Sequence, residues 1–141
     1  MLLHLALAGI ALVSAAEAAE TVLWDFEADA QSWRPRAQSI TVEREEGVGA
    51  IPESKAALYV SGEIAEGWNY LLSDSHPMSP GQVYRLSFWL KVDKLGPTTP
   101  PPFMKCEFVP AEKGKDLGRV GTDAYDVAKT GCWQQFSAEF R

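Results

Sequence analysis

The sequence predicts an all-β protein, an antiparallel β-sandwich of the jelly-roll type. Three observations carry that expectation. No segment after residue 20 holds a helical period of apolar residues, whereas several alternate apolar and polar with a period of two. The breaks between them are rich in Gly and Pro: Gly47, Gly49, Pro52, "HPMSPG", "GPTTPPP", "EKGKDLG" and "KTG". Seven or so short strands punctuated in this way suit a sandwich.

Taken in order, "TVLWDFE" places Val22, Trp24 and Phe26 on one face, and "SITVERE" turns Ile40 and Val42 inward. "AALYVSG" points Leu58 and Val60 inward, with Ala57, Tyr59 and Ser61 outward. In "WNYLLS" the alternation assigns Tyr70 and Leu72 to one face and Asn69 and Leu71 to the other. We read Asn69 as outward. The clearest strand is "VYRLSFWLKV", with Tyr84, Leu86, Phe88, Leu90 and Val92 opposed to Arg85, Ser87, Trp89 and Lys91. "FMKCEFV" contributes Met104, Cys106 and Phe108, and "WQQFSAEF" contributes Phe136 and Phe140. The stretch "LGPTTPPPF" between two similar strands reads as a stiff loop within one domain.

Residues 1–18 read as a secretory leader. Leu2 to Ala16 is apolar apart from His4 and Ser14, and Ala16-Glu17-Ala18 fits a small-x-small cleavage site. A buried N-terminal helix is the alternative. No Lys or Arg precedes the apolar run, and the run is short for a membrane span. Cleavage leaves residues 19–141 as one sandwich domain, secreted or periplasmic, and removing Glu17 takes the formal charge from −6 to −5. That balance, without a basic run, speaks against nucleic acid and anionic membranes. The chain stops within a predicted strand, "SAEFR", so a closing strand is expected to be missing and the domain incomplete.

Catalytic chemistry finds little support. His76 is the one histidine outside the leader, and Ser73, Asp74 and Ser75 beside it on a turn do not meet the geometry of a triad. Two distant cysteines, Cys106 and Cys132, and one histidine give no zinc spacing. For the cysteines, a disulfide and two free buried thiols both remain open. Clustered carboxylates such as Glu43, Glu45 and Glu46 single out no acid–base pair. Outward aromatics say more. Tyr59 and Trp89 alternate away from the core, and flat rings of this kind stack on the apolar faces of sugars. Asn69 and Arg85, in the same outward phase, could bond hydroxyls, with Trp68 at the edge of a cleft.

The order of "WDFEADAQSW", "SKAALYV", "MSPGQVYRLSFWLKV" and "AYDVAKTGCWQQFSAEF" resembles the carbohydrate-binding modules of the jelly-roll group that includes families four, nine and twenty-two. These are galactose-binding-like sandwiches often attached to bacterial glycoside hydrolases. The resemblance implies a non-catalytic module that binds a polysaccharide or oligosaccharide, as a monomeric unit within a longer chain. It also implies a structural Ca2+ held by Glu27 and by a main-chain oxygen near Lys55 or Ala56, completed by an acidic residue on the closing strand. Calcium takes six to eight oxygens. A structural or protein-interaction domain without glycan binding is the competing expectation, since a fold fixes function only loosely.

Overall fold

The computed structural model describes residues 2–14, 20–63, 69–112, 114, 115 and 117–141. Its strands are β1 (Leu2–Ser14), β2 (Glu20–Trp24), β3 (Arg34–Pro35), β4 (Ile40–Glu46), β5 (Ala56–Glu63), β6 (Leu71–Leu72), β7 (Tyr84–Leu95), β8 (Lys105–Phe108), β9 (Gly118–Gly121) and β10 (Gln134–Phe140). No α-helix occurs among the described residues, and one 3-10 turn spans Val127–Lys129. The chain is an all-β antiparallel sandwich. Its main layer is a sheet in the order β10-β7-β1-β5-β4, with β2 added beside β1. Two ribbons, β3–β6 and β8–β9, lie apart from that sheet.

The alternation in β7 is seen in full: Leu86, Phe88, Leu90 and Val92 are buried, and the intervening residues are more exposed. Leu58 and Val60 of β5 and Ile40 of β4 join them, and Trp24, Phe26 and Tyr125 close the core. Met104 and Cys106 from β8 and Leu71 from β6 pack against this cluster, so the ribbons supply the second layer. Burying these side chains contributes roughly 1.5–3 kcal/mol each. Phe136 of β10 stacks on Phe88, ring centroids 5.5 Å apart, and Phe140 stacks on Tyr84 at 6.1 Å.

Of the segment read as a leader, residues 2–14 form a strand, and the cleavage motif at residues 16–18 lies outside the described residues. β1 runs through the middle of the sheet, antiparallel to β5 over Leu2–Leu7 and to β7 from Leu3 to Ser14. Leu7 stands between Leu58 and Leu90, and all three are buried. An uncharged apolar segment beside two strands with unmet hydrogen bonds satisfies both at once. β10, by contrast, is hydrogen-bonded to β7 and forms one end of the sheet.

Three alternations are corrected. Val22 is exposed rather than inward, because an extra residue in β2 (Ile10 opposes Trp24 while Ala11 opposes Val22) bulges the strand at Leu23. Phe26 is buried but lies past the strand in a loop, with φ of 59°. In "WNYLLS" the two faces are exchanged. Tyr70 and Leu72 are exposed, while Leu71 packs on the core and the amide atoms of Asn69 are buried. Period two gives the pairing of residues but not which side is inward. A two-residue strand pairing only with Arg34–Pro35 leaves that choice to the core contacts of Leu71.

Candidate carbohydrate-binding face

The acidic stretch after β2 is loop chemistry. Asp25 Oδ1 accepts from the Glu27 N–H at 3.1 Å and from Gln31 Nε2 at 2.9 Å, and Asp29 Oδ1 accepts from the Gln31 N–H at 2.6 Å. Gln31 Oε1 in turn accepts the Phe26 N–H. A non-glycine residue at positive φ persists only when its surroundings fix it. Here Arg44 also donates to the Phe26 carbonyl at 2.8 Å and to that of Glu27 at 2.7 Å.

Glu27 and Lys55 do meet. Glu27 Oε1 accepts the Lys55 N–H at 2.8 Å, with Ser54 Oγ at 3.4 Å. The Lys55 carbonyl accepts the Gly47 N–H at 2.6 Å. These residues wall a cavity of about 860 Å³ together with Arg44, Glu46 and the 47–55 loop. Gly49 is required there, since a Cβ would fall 1.6 Å from the Ser54 carbonyl oxygen. As a calcium site the corner offers the Glu27 carboxylate and the Lys55 carbonyl, both already hydrogen-bonded, while the Glu46 carboxylate on the same wall is held by Arg44; no group of three His, Cys, Asp or Glu side chains able to hold a metal ion occurs among the described residues. The two Glu27 carboxylate oxygens and the Lys55 carbonyl fall short of the six that calcium takes.

The outer face of the main sheet gathers the other predicted residues selectively. Glu43 of β4 pairs with Tyr59 of β5, Tyr59 with Ala6 of β1, and Ala6 with Lys91 of β7. One rung along, Ala8 pairs with Trp89, which pairs with Gln135. Tyr59 and Trp89 therefore share one face of one sheet with a single strand between theirs. Tyr59 lines a cavity of about 480 Å³ with Glu43, Arg44, Glu45, Val48, Lys91 and Asp93. Trp89 sits beside it, half-buried against Ala57 with Trp133, Val48 and Ala50. Lys91 Nζ lies 3.3 Å from Asp93 Oδ1 and 5.7 Å from the centroid of the Trp133 ring, within cation–π range.

Three predicted residues stand elsewhere. Arg85 is on the outer face but four residues from Trp89, about 13 Å along the strand, and its guanidinium is bound to Glu139. Asn69 is turned toward the core, and neither amide atom finds a partner among the described residues. Trp68 lies outside the described residues. The sequence reading placed Lys91 in the outward polar phase and passed over Trp133 as a site residue. Trp133 was legible: it shares its phase with Gln135 and Ser137, opposite Phe136 and Phe140.

The two cysteines are free, Cys106 half-buried and Cys132 exposed, and burial pushes the Cys106 thiol up from its ordinary value. His76 meets Trp24 edge-on at 4.7 Å, and Asp74 binds Arg34 at 2.8 Å, a contact that lowers its pKa. The loop "SDSH" is thus a surface fastening.

Fold and face together define a β-sandwich with half-buried aromatic rings and polar groups on an open sheet. The chain matches the family model CBM_4_9, a carbohydrate binding domain, over residues 24–141, and it belongs to that family. No curated protein and no solved structure matches it.

Proposed function

We propose that this chain is the non-catalytic polysaccharide-binding module of an exported protein, accessory to a glycoside hydrolase, with the outer sheet face as its site. Membership of a carbohydrate-binding family supports the ligand class. The observation that carries the site is the placement of Tyr59 and Trp89 on one sheet face, with Tyr59 lining a polar cavity there. A sugar ring would stack on Tyr59 and Trp89, its hydroxyls donating to Glu43, Glu45 and Asp93 and accepting from Lys91. Stacking and hydrogen bonding on a preformed surface need no covalent step. Affinity electrophoresis against soluble β-glucans, xylans and mannans tests this. At least one glycan should retard the chain, and the double variant Tyr59→Ala/Trp89→Ala should migrate freely.

The competing reading, a packing domain without glycan binding, draws on the mutual cover of Trp89, Trp133 and Ala57. Unretarded migration on every glycan would favour it. Calcium at the Glu27–Lys55 corner is a second proposal, supported by the meeting of the two residues the resemblance names. It requires that the cation take over the Glu27 carboxylate from the Lys55 N–H and draw further oxygens from water. Calcium should then raise the melting temperature of the chain, and Glu27→Gln should abolish the rise. An unchanged melt in excess calcium rejects it.

A further inference from the structure

We propose that the channel between β5 and β7 is a strand-acceptor site, into which a free extended peptide can insert in place of β1. The partner it fits is a segment of about a dozen uncharged residues, antiparallel to both walls, with an apolar side chain where Leu7 stands.

The walls are well defined. On one side β7 pairs with β1 over nearly its whole length, from Leu95 opposite Leu3 to Tyr84 opposite Ser14. On the other side β5 pairs with Leu2–Leu7, and β2 takes over from Ile10 to Val13. β5 and β7 each have one other neighbour, β4 and β10. Without β1 they would stand two strand spacings apart, about 9.6 Å, too far to bond each other. Each would then show a row of unpaired N–H and C=O groups above a buried core, which is costly. Among the described residues, β2 would lose its one partner strand. In the sequence, residues 15–19 link β1 to β2.

Cutting that link would make occupancy of the channel separable from chain connectivity. A slot with two facing edges and a hydrophobic floor is the geometry of strand addition, in which main-chain bonds give affinity and alternate side chains give selectivity. Leu7 supplies the selectivity here, since it is buried beside Leu58 and Leu90.

The test uses the full chain with a specific protease recognition sequence inserted in the 15–19 connection, cut after folding. Fluorescent peptide LLHLALAGIALVS is then added, and hydrogen exchange of the 58–63 and 84–92 amides is followed. The labelled peptide should enter at one per chain and maintain or restore protection of both segments. The same peptide carrying Leu7→Asp should enter at least about tenfold more weakly. Protection of both segments after β1 has left, with no peptide present, would show that the walls close by themselves and overturn the proposal. So would equal uptake of the Leu7→Asp peptide, or failure of the labelled peptide to bind. None of these readouts depends on glycan binding.

Discussion

Trp89→Ala separates a binding ring from a core ring. Trp89 is half-buried, resting on Ala57 beside Trp133, whereas its neighbour Phe88 is 1% exposed in the core proper. Truncating a fully buried Phe or Trp costs about 3–5 kcal/mol. Trp89 has one covered side, so its truncation should cost about half of that, roughly 2 kcal/mol, and leave a cooperative fold. Its effect on binding should be of the size found for stacking of flat ligands on aromatic platforms, about 1–3 kcal/mol. That is roughly a 5- to 150-fold loss of affinity. Phe88→Ala serves as the opposite case, with a stability loss of about 3–5 kcal/mol. Denaturant melts give the first quantity, and titration calorimetry with whichever glycan retards the chain gives the second. Unchanged affinity for Trp89→Ala, or a stability loss equal to that of Phe88→Ala, would refute the assignment of this ring to the site.

Gly49→Ala should destabilise by at least about 1–3 kcal/mol, because its Cβ would overlap the Ser54 carbonyl; an unaltered melting temperature would show that the 47–55 loop yields freely. Reducing agent should leave the melting temperature unchanged, and iodoacetamide near neutral pH should modify exposed Cys132 before half-buried Cys106, whose thiol is held up by burial, as peptide mass mapping will show. Asp74, Glu46 and Glu107 are held below their ordinary values of 3.8, 4.5 and 4.5 by hydrogen bonds from Arg34, Arg44 and Lys105. Their stabilisation is complete above the unfolded values and lost as pH falls through the lower folded ones. Being exposed, they should give a small decline confined to pH below 4.5, and about 1 M salt should flatten it in thermal melts.

Much of the fold was legible because β7, β5, β4 and β10 each bury one face, and a half-buried strand writes that fact as alternation. Leu86, Phe88, Leu90 and Val92 could be placed without knowing what they touch. Where a strand is two residues long or bulged, alternation loses its reference, as at Leu71–Leu72 and Leu23. β9 was missed because "GRVG" has the composition of a turn and acquires its extended form from pairing with Lys105–Phe108. Tyr125 was missed for another reason. It lies outside any strand, yet is 2% exposed and its hydroxyl donates to the Lys129 and Cys132 carbonyls, a role no local pattern announces. Within the site, phase identified Tyr59 and Trp89 as outward. It could not show that Arg85 is spoken for by Glu139, because that depends on β10 lying alongside β7.

The proposed binding face and the proposed strand slot are physically one structure. Tyr59 and Lys91 lie on the same rung only because both pair with Ala6, and Trp89 is brought to Ala57 across the strand that contains Ala8. β5 and β7 do not bond each other, so whatever occupies the channel sets the distance between the two aromatic walls and their register along the strands. A shift of one residue in β7 alone would turn Trp89 to the core side and Leu90 outward, since side chains alternate strictly. The inner face resists such a slip, because Leu7, Leu58 and Leu90 are packed in one row. The same three leucines that hold the core together thereby fix the geometry of the ring pair on the other side of the sheet. Selectivity for the occupant of the proposed slot and alignment of the proposed glycan face thus rest on one layer of buried contacts.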